Sequence, residues 1–152
     1  MHLEVILEFE EGYRRVPYLC SEGYVTAGLG TKLHNKKGMN PKDFPIRVSR
    51  EVATLWLQQD VAKMELALNK TDKGGTFKGL DEDRRAIIIS MAYQMGVHGV
   101  LGFPSMWRAL ARQDWEEAGA QALDSLWARQ TPERAGRHAR VLAGETLEEV
   151  YK

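Results

Sequence analysis

The sequence has 152 residues and a mass of 17.2 kDa, the size of one domain or of two small lobes that share a core. Lys plus Arg and Asp plus Glu each total 21, so the formal net charge at pH 7 is zero, which argues against a broadly cationic nucleic-acid or membrane binder. Hydrophobic residues make up 43% and no apolar run approaches the roughly 18 residues of a membrane span, so we expect a compact, soluble protein.

The single cysteine, Cys20, excludes an intrachain disulfide. Charge is balanced only in total, because residues 1–30 carry a net charge of −3 and residues 31–51 a net charge of +4. The basic stretch is typical of a solvated loop, and a local patch that binds an anionic polymer is the alternative. Glu4 and Glu8 interrupt the N-terminal region where a secretion signal would be apolar, so we expect a protein that is intracellular when made.

Hydrophobic spacing predicts a short opening helix that ends near Gly12. Residues 13–34 combine glycines with aromatic and β-branched residues, which predicts short strands joined by tight turns. A long helix is predicted over about 49–68 with Ser49 as its N-cap, and residues 69–79 are predicted to be a loop.

The second half of the sequence predicts helices separated by short turns. Asp81 caps a helix that is apolar on nearly all sides and ends at Gly96, which places this helix in the middle of a core. Further helices are predicted to start at Pro104, Asp114, Thr131–Pro132 and Thr146. The predicted fold class is α+β, mostly α: one domain over residues 1–152, with a β-rich lobe at about 12–60 and a helical lobe at about 61–152 that includes residues 1–11.

Most familiar catalytic arrangements are absent from the sequence. The four histidines have no metal-ligand spacing with one another or with Cys20, so no metal is expected. What remains is Glu11 at the end of the first helix, followed by Cys20, Glu22 and Thr26 in the β-rich stretch. A partly buried carboxyl at a helix end that faces a sheet could be a general acid, and solvated surface acids are the alternative that periodicity alone favours.

Several motifs follow one another along nearly the whole chain. The N-terminal ones are Glu11-Gly12-x-Arg14, Tyr18 and Ser21-Glu22-Gly23-Tyr24-x-Thr26-x-Gly28-x-Gly30. The later ones are Leu80-Asp81-x-x-Arg84-Arg85-Ala86, Tyr93-Gln94-Met95-Gly96-x-x-Gly99-Val100-x-Gly102-Phe103, Trp115-x-Glu117-Ala118 and Trp127-x-x-Gln130-Thr131-Pro132-x-Arg134-Ala135. In order and spacing these motifs strongly resemble the phage lysozyme (endolysin) family, glycoside hydrolase family 24, with the main length difference at 34–79.

The resemblance implies an active site of a Glu, eight residues, an Asp or Cys, five residues and a Thr, which here are Glu11, Cys20 and Thr26. By resemblance, Glu11 is the general acid that protonates the glycosidic oxygen between N-acetylmuramic acid and N-acetylglucosamine, and Thr26 orients the attacking water. Arg134 resembles the cation that pairs with this acid. The substrate-binding residues implied in all are Glu22, Gly30, Lys32, Tyr93, Gln94, Gln121 and Arg134.

Cys20 stands where the T-even member of the family has an aspartate. A thiol with an ordinary pKa of about 8.5 is mostly neutral at pH 7 and is therefore a poor permanent anion. Three roles stay open: a thiolate base formed at need, a residue that only shapes the water site while Thr26 and Glu22 do more, and a nucleophile in a retaining route. A small buried thiol without a chemical role is the structural alternative.

The resemblance implies a muramidase that hydrolyses the β-1,4 bond of bacterial peptidoglycan during phage-mediated lysis. A lytic transglycosylase is a second possible enzyme. A wall-binding protein without catalytic turnover is the non-enzymatic alternative, and it is motivated by Cys20 and by Thr31, where many members have histidine. We expect a monomer with no cofactor, no metal, no nucleic-acid partner and no stable membrane insertion. Without a secretion signal, it would accumulate in the host cytoplasm and need a holin to reach the wall.

Overall fold

A computed structural model describes residues 3–152, with a small antiparallel sheet near the N-terminus and helices through most of the remaining chain. The described residues group into two compact units, 3–62 and Lys63–Lys152, and the boundary falls inside a long helix. The N-terminal unit contains helix α1 (Leu3–Glu11), strands β1 (Arg14–Leu19), β2 (Val25–Gly28) and β3 (Thr31–Lys32), a short 3-10 helix at Pro41–Asp43, and the start of α2 (Arg50–Asn69).

Helix α1 is anchored through two fully buried side chains, Ile6 and Leu7. It ends at Gly12, whose φ of 71° suits glycine and whose N–H donates to the carbonyl of Glu8 at 2.9 Å. Its outer face is bonded to α2, since Gln58 Nε2 donates to Glu4 Oε1 at 2.6 Å and Arg50 pairs with Glu8. Helix α1 therefore groups with the N-terminal unit, whereas the sequence suggested residues 1–11 in the helical lobe. The single-domain assignment over 1–152 stays a prediction.

The three strands form an antiparallel sheet in the order β1-β2-β3. Tyr18 pairs with Thr26, and Thr26 pairs with Lys32 on its other side. Because directly opposed residues share a face of a sheet, these three side chains form a row across one face. The register between β1 and β2 is irregular between Arg14 and Tyr18.

The C-terminal unit is helical. After the end of α2, its helices are α3 (Gly74–Gly79), α4 (Glu82–Leu101), α5 (Pro104–Ala111), α6 (Trp115–Leu123), α7 (Leu126–Gln130), α8 (Pro132–Ala143) and α9 (Leu147–Val150). The first part of α4 is buried on several sides through Ile87, Ile88, Ile89 and Met91, so it lies in the core as predicted. Gly96, with a φ of 82°, bends α4 where the sequence predicted its end.

Helix α3 contradicts the prediction of a loop over 69–79. Its glycine-rich sequence has low intrinsic helix propensity, but Phe77 is buried and holds the segment against the core. Gly74 is required at its start, because a Cβ there would lie 2.5 Å from the backbone oxygen of Asn69. Tertiary burial therefore outweighs local propensity in this segment.

The predicted fold class, α+β and mostly α, is confirmed. Among the described residues, no individual helix has the length and apolar character to cross a membrane. By length and composition alone, one pair bent by 96° meets that criterion jointly, Glu82–Leu101 with Pro104–Ala111.

Candidate active site

One face of the sheet in the N-terminal unit carries the polar residues singled out by the sequence. Cys20 directly follows β1 and lies two residues after Tyr18, so the two side chains point to the same side. Its N–H donates to the carbonyl of Tyr24 at 2.9 Å, which closes the turn between β1 and β2. With Thr26 opposite Tyr18, the fold brings Cys20 and Thr26 together as diagonal neighbours.

Glu11 is the last residue of α1 and is half-buried against the turn between β2 and β3. Gly30 forms this turn with a φ of 80°, and a Cβ at Gly30 would lie 2.9 Å from Glu11 Oε2 and 3.1 Å from its Cδ. Glycine is therefore needed here both for its backbone conformation and for the space that the carboxyl group occupies.

Tyr18 lies close enough to both Glu11 and Cys20 to respond to their charges. Burial raises the pKa of the Tyr18 hydroxyl, and the charges of Glu11 and Cys20 raise it further, while Arg14 opposes them. The Arg14 guanidinium lies 4.5 Å from the centroid of the Tyr18 ring. Tyr18 therefore lies within electrostatic range of both the carboxyl group at the end of α1 and the thiol at the end of β1.

The thiol of Cys20 has surroundings that favour its anion. Burial by itself raises the pKa of Cys20, but hydrogen bonds from the backbone N–H groups of Tyr24 and Glu22 lower it. The Thr26 hydroxyl and the positive charge of Lys32 add to this, and the pKa of Cys20 is lowered from its ordinary value. Glu22, in the exposed turn, thus contributes through its backbone.

The Thr26 side chain is almost completely buried, at 2% exposure, and its hydroxyl donates to the carbonyl of Tyr24 at 2.9 Å. A hydroxyl group has one hydrogen, so Thr26 donates either to this carbonyl or to the Cys20 sulfur. In the first case its lone pairs remain available to a donor such as water. This arrangement suits a residue that holds a water molecule beside the thiol.

Lysine side chains gather around Tyr24 on the same face. Lys32 Nζ lies 4.1 Å and Lys37 Nζ 5.4 Å from the Tyr24 ring centroid, within the range of cation–π attraction. Arg50, by contrast, lies over the Tyr13 ring and pairs with Glu8. The basic stretch of residues 31–51 therefore does not form one patch. Lys32 and Lys37 lie near Tyr24, on the side of Cys20, whereas Arg50 is paired elsewhere.

The remaining predicted site residues lie in the C-terminal unit. Gln94 Oε1 accepts a hydrogen bond from Trp127 Nε1 at 2.8 Å, and Gln121 Nε2 donates to Glu117 Oε1 at 2.6 Å. Tyr93 is half-buried on α4. A pocket of about 390 Å³ in this unit is lined by Gly102, Phe103, Pro104, Ser105, Met106, Gln121, Asp124, Ser125, Leu126 and Trp127.

Arg134, on α8, is only 8% exposed. Its Nη2 donates to both the carbonyl and the hydroxyl of Ser90, each at 3.1 Å. The pairing of Arg134 with Glu11 stays a prediction. In residues 3–152 no group of three or more His, Cys, Asp and Glu side chains is arranged to hold a metal ion.

The family model for phage lysozyme matches residues 8–144, a range that includes every site residue described above. The chain belongs to the phage lysozyme family. The resemblance inferred from the motifs is thereby confirmed.

Two relatives of this phage lysozyme family member come from Dictyostelium discoideum. Probable T4-type lysozyme 1 is 31% identical over 160 residues, which cover 93% of this chain and 94% of the relative. Probable T4-type lysozyme 2 is 26% identical over 167 residues, covering 99% and 98%. The pre-baseplate central spike protein Gp5 of Enterobacteria phage T4 is 31% identical over 164 residues, which cover 97% of this chain but 28% of the spike protein. Family and relatives together support a lysozyme, or muramidase, function and place the chain among glycoside hydrolases.

Sequence reasoning missed two features of the phage lysozyme site. Tyr18 and Tyr24 were named in the sequence motifs but were not assigned to the site. Each lies two residues before a predicted site residue, Cys20 or Thr26, and this spacing along a strand places both tyrosines on the same face as those residues. Trp127 appeared in the sequence only as part of a motif; in the structure it is 8% exposed, lines the pocket and donates a hydrogen bond to Gln94.

Proposed function

We propose that the chain is an endolysin-type muramidase that cleaves the β-1,4 bond between N-acetylmuramic acid and N-acetylglucosamine in bacterial peptidoglycan during phage-mediated host lysis. One observation carries the proposal. In the N-terminal unit, the Glu11 carboxyl lies against Gly30, and Cys20 and Thr26 share the adjoining sheet face with Lys32. A carboxyl group can serve as the general acid of this hydrolysis, and a stabilised thiolate beside a hydroxyl group can deprotonate and hold the attacking water.

Glu11 serves as the general acid in this mechanism. It transfers its proton to the glycosidic oxygen as the bond from that oxygen to the anomeric carbon of N-acetylmuramic acid breaks. The electron pair of the broken bond stays on the oxygen, which becomes a hydroxyl group of the leaving N-acetylglucosamine. The carboxyl group of Glu11 is left as a carboxylate.

The attacking water is held by Thr26 and deprotonated by the Cys20 thiolate. The water oxygen bonds to the anomeric carbon from the face opposite the leaving group, and its proton passes to the Cys20 sulfur. The product is a reducing-end N-acetylmuramic acid with inverted configuration. The environment of Cys20 supports this role, because burial is outweighed by hydrogen bonds and by Lys32, and the net effect lowers the thiol pKa.

Substrate contacts complete the proposal. Lys32 presents an ammonium group beside the proposed water site, where it can meet the lactyl and peptide carboxylates of the wall. By resemblance, Tyr93, Gln94 and Gln121 contact the sugar chain, and Arg134, also a substrate-binding residue, is the cation that pairs with the acid. We also infer that the protein is monomeric, accumulates in the host cytoplasm, and reaches the wall after a holin permeabilises the membrane.

The test of this function is Glu11→Gln, which preserves the shape of the side chain and removes the proton that is transferred. We expect the release of reducing ends from purified peptidoglycan to fall at least about a hundredfold. Glu65→Gln is the matched control, because Glu65 is an exposed residue of α2, and it should retain wild-type activity. Retention of activity in Glu11→Gln would refute the assignment of the acid.

The products separate the three readings of the site. Mass spectrometry of released muropeptides should show reducing-end N-acetylmuramic acid, as hydrolysis requires. A 1,6-anhydro product would instead identify a lytic transglycosylase. Binding to peptidoglycan without any released fragment would identify a wall-binding protein that has lost turnover.

A further inference from the structure

A chain of buried polar side chains runs through the C-terminal unit and ends on Arg134. The Tyr151 hydroxyl lies 3.0 Å from His138 Nδ1, and His138 Nε2 lies 2.8 Å from Ser90 Oγ. Ser90 Oγ in turn accepts a hydrogen bond from Arg134 Nη2 at 3.1 Å. Ser90 and His138 are fully buried, and Tyr151 is 7% exposed.

Two hydrogen bonds join Arg134 to Ser90. Besides the hydroxyl, the Ser90 carbonyl accepts from the same Nη2 at 3.1 Å. Two acceptors on one residue fix the direction of the guanidinium group more closely than one acceptor would. The position of the Ser90 hydroxyl depends on its other partner, which is the His138 ring.

His138 is suited to hold that hydroxyl in place. Both ring nitrogens have partners, so rotation of the ring would break two hydrogen bonds. The Trp127 ring packs on the imidazole with centroids 5.9 Å apart. Burial, together with the charges of Arg134 and Arg137, holds the pKa of His138 well below its ordinary value of 6.5, so the ring is neutral.

Polar groups in a core carry a desolvation cost that apolar side chains would avoid. Here Ser90 and His138 lie among the apolar core residues of α4 and α8, yet they form one connected line that leads to a cation. A connected line of hydrogen bonds of this kind fixes orientation, whereas packing alone would not require it.

We propose that Ser90, His138 and Tyr151 are positioning residues that set the direction of the Arg134 guanidinium group for catalysis. This inference rests on the proposed function, in which Arg134 belongs to the active site. The line acts through Arg134 and does not touch the substrate. Its contribution should therefore disappear when Arg134 is absent.

A double-mutant cycle tests this dependence. Ser90→Ala and Tyr151→Phe are each made in the wild type and in Arg134→Gln, and kcat and KM are measured on purified peptidoglycan. We expect Ser90→Ala to lower kcat about tenfold and Tyr151→Phe, which removes one hydroxyl group, about threefold, with little change in KM. In the Arg134→Gln background neither change should lower kcat further. Equal losses of kcat in both backgrounds would overturn the proposal, since they would show a purely structural role.

A second measurement is independent of activity. The side-chain N–H signals of Arg134, followed by ¹⁵N NMR, should exchange slowly in the wild type and faster in Ser90→Ala and Tyr151→Phe. Unchanged exchange in folded variants would overturn the positioning role even if the enzyme is active. Ser90→Thr, which restores the hydroxyl group, should recover slow exchange and most of the lost kcat.

The controls separate this inference from the proposed function. Arg129→Gln, an exposed change of the same type on α7, should leave kcat unaltered. If Arg134→Gln retains wild-type kcat, Arg134 has no part in the reaction and the positioning role is refuted, while the muramidase function stands. If the wild type releases no fragments from peptidoglycan, the proposed function fails, and the NMR experiment still decides whether the line holds Arg134.

Discussion

At the scale of single residues, Cys20 and Gly30 govern the two reacting groups of the proposed site. Cys20 occupies a turn in which two backbone N–H groups, a hydroxyl and an ammonium group all favour its anion against the effect of burial. Gly30 leaves the space in which the Glu11 carboxyl lies. The role of Cys20 can therefore be tested through the pH dependence of activity, and the role of Gly30 by adding a methyl group at that position.

Activity should depend on the ionisation of Cys20. If its thiolate takes the proton from water, kcat/KM rises with pH through a thiol pKa that lies below the ordinary value for cysteine. Lys32→Gln removes a charge that lowers this pKa, so the rise should move to higher pH. Cys20→Asp should move it to acidic pH, because an ordinary Asp pKa is about 3.9.

The control for the lysine change is Lys63→Gln, which alters an exposed residue of α2 and should leave the pH profile in place. Cys20→Ala should lose most of the activity. A Cys20→Ala variant with wild-type kcat and pH profile would show that the thiol has no chemical role.

Gly30→Ala should inactivate the enzyme by displacing Glu11. The new methyl group would lie 2.9 Å from Glu11 Oε2, and misplacement of a catalytic group by about 1 Å can cost about a hundredfold in rate. Gly38→Ala is the matched control, since Gly38 has a φ of 79° and nothing within 4 Å of its added Cβ. Both variants should lose roughly 1–2 kcal/mol of stability, measured by denaturant unfolding, but only Gly30→Ala should lose activity. Equal activities would contradict the steric explanation.

At the scale of secondary structure, the caps of the C-terminal helices are the features that local sequence predicted best. Asp81 accepts from the N–H of Arg84, and Thr146 with Glu149 closes a complete capping box. These contacts join residues three positions apart, so their spacing is visible in the sequence. At Asp114 only half of a capping box forms, because the Asp114 N–H donates to the carbonyl of Ala109 at 2.9 Å and not to the Glu117 side chain.

Features that depend on distant contacts could not be predicted in this way. Helix α3 exists because Phe77 is buried in a core assembled from other helices. The short α7 is different, because it begins at Ser125, a local capping residue whose side chain accepts from the N–H of Ala128. The line from His138 to Ser90 joins residues 48 positions apart, and no local pattern indicates it.

Removal of the α4 cap should destabilise the C-terminal unit. Asp81 accepts from the Arg84 backbone at 3.2 Å and from its guanidinium group at 2.8 Å. Asp81→Ala should therefore lower the free energy of unfolding by about 1–2 kcal/mol, measured by denaturant titration with circular dichroism. Asp72→Ala, at an exposed carboxylate with a 3.7 Å contact to Lys73, should change it little. Equal effects would show that the cap contributes nothing specific.

At the scale of the whole molecule, stability should depend on pH through His138. Its folded-state pKa lies well below 6.5, so below about pH 6.5 the unfolded chain binds a proton that the folded protein does not. The free energy of unfolding should therefore fall as the pH decreases from 6.5, by up to about 1.4 kcal/mol per pH unit for this one group.

His138→Gln should reduce this slope, although it also lowers the overall stability by removing two hydrogen bonds. His98→Gln provides the comparison, because His98 is exposed. Denaturant unfolding at a series of pH values below 6.5 measures the slopes. The same slope in the wild type and in His138→Gln would show that another group is responsible.

Cys20 is the chain's one cysteine, and it lies beside Thr26 in the proposed site. A thiol-specific electrophile can therefore form at most one adduct per molecule, and that adduct would sit where the water must bind. Mass spectrometry would measure the fraction of molecules that carry the label, and a parallel assay would measure the fraction of activity lost. Comparison of the two fractions would give the share of molecules in a preparation that have a working active site. Oxidation of the same sulfur to a sulfenic acid would inactivate the enzyme until a reductant restored the thiol. A Cys20→Asp variant would not be inactivated in this way.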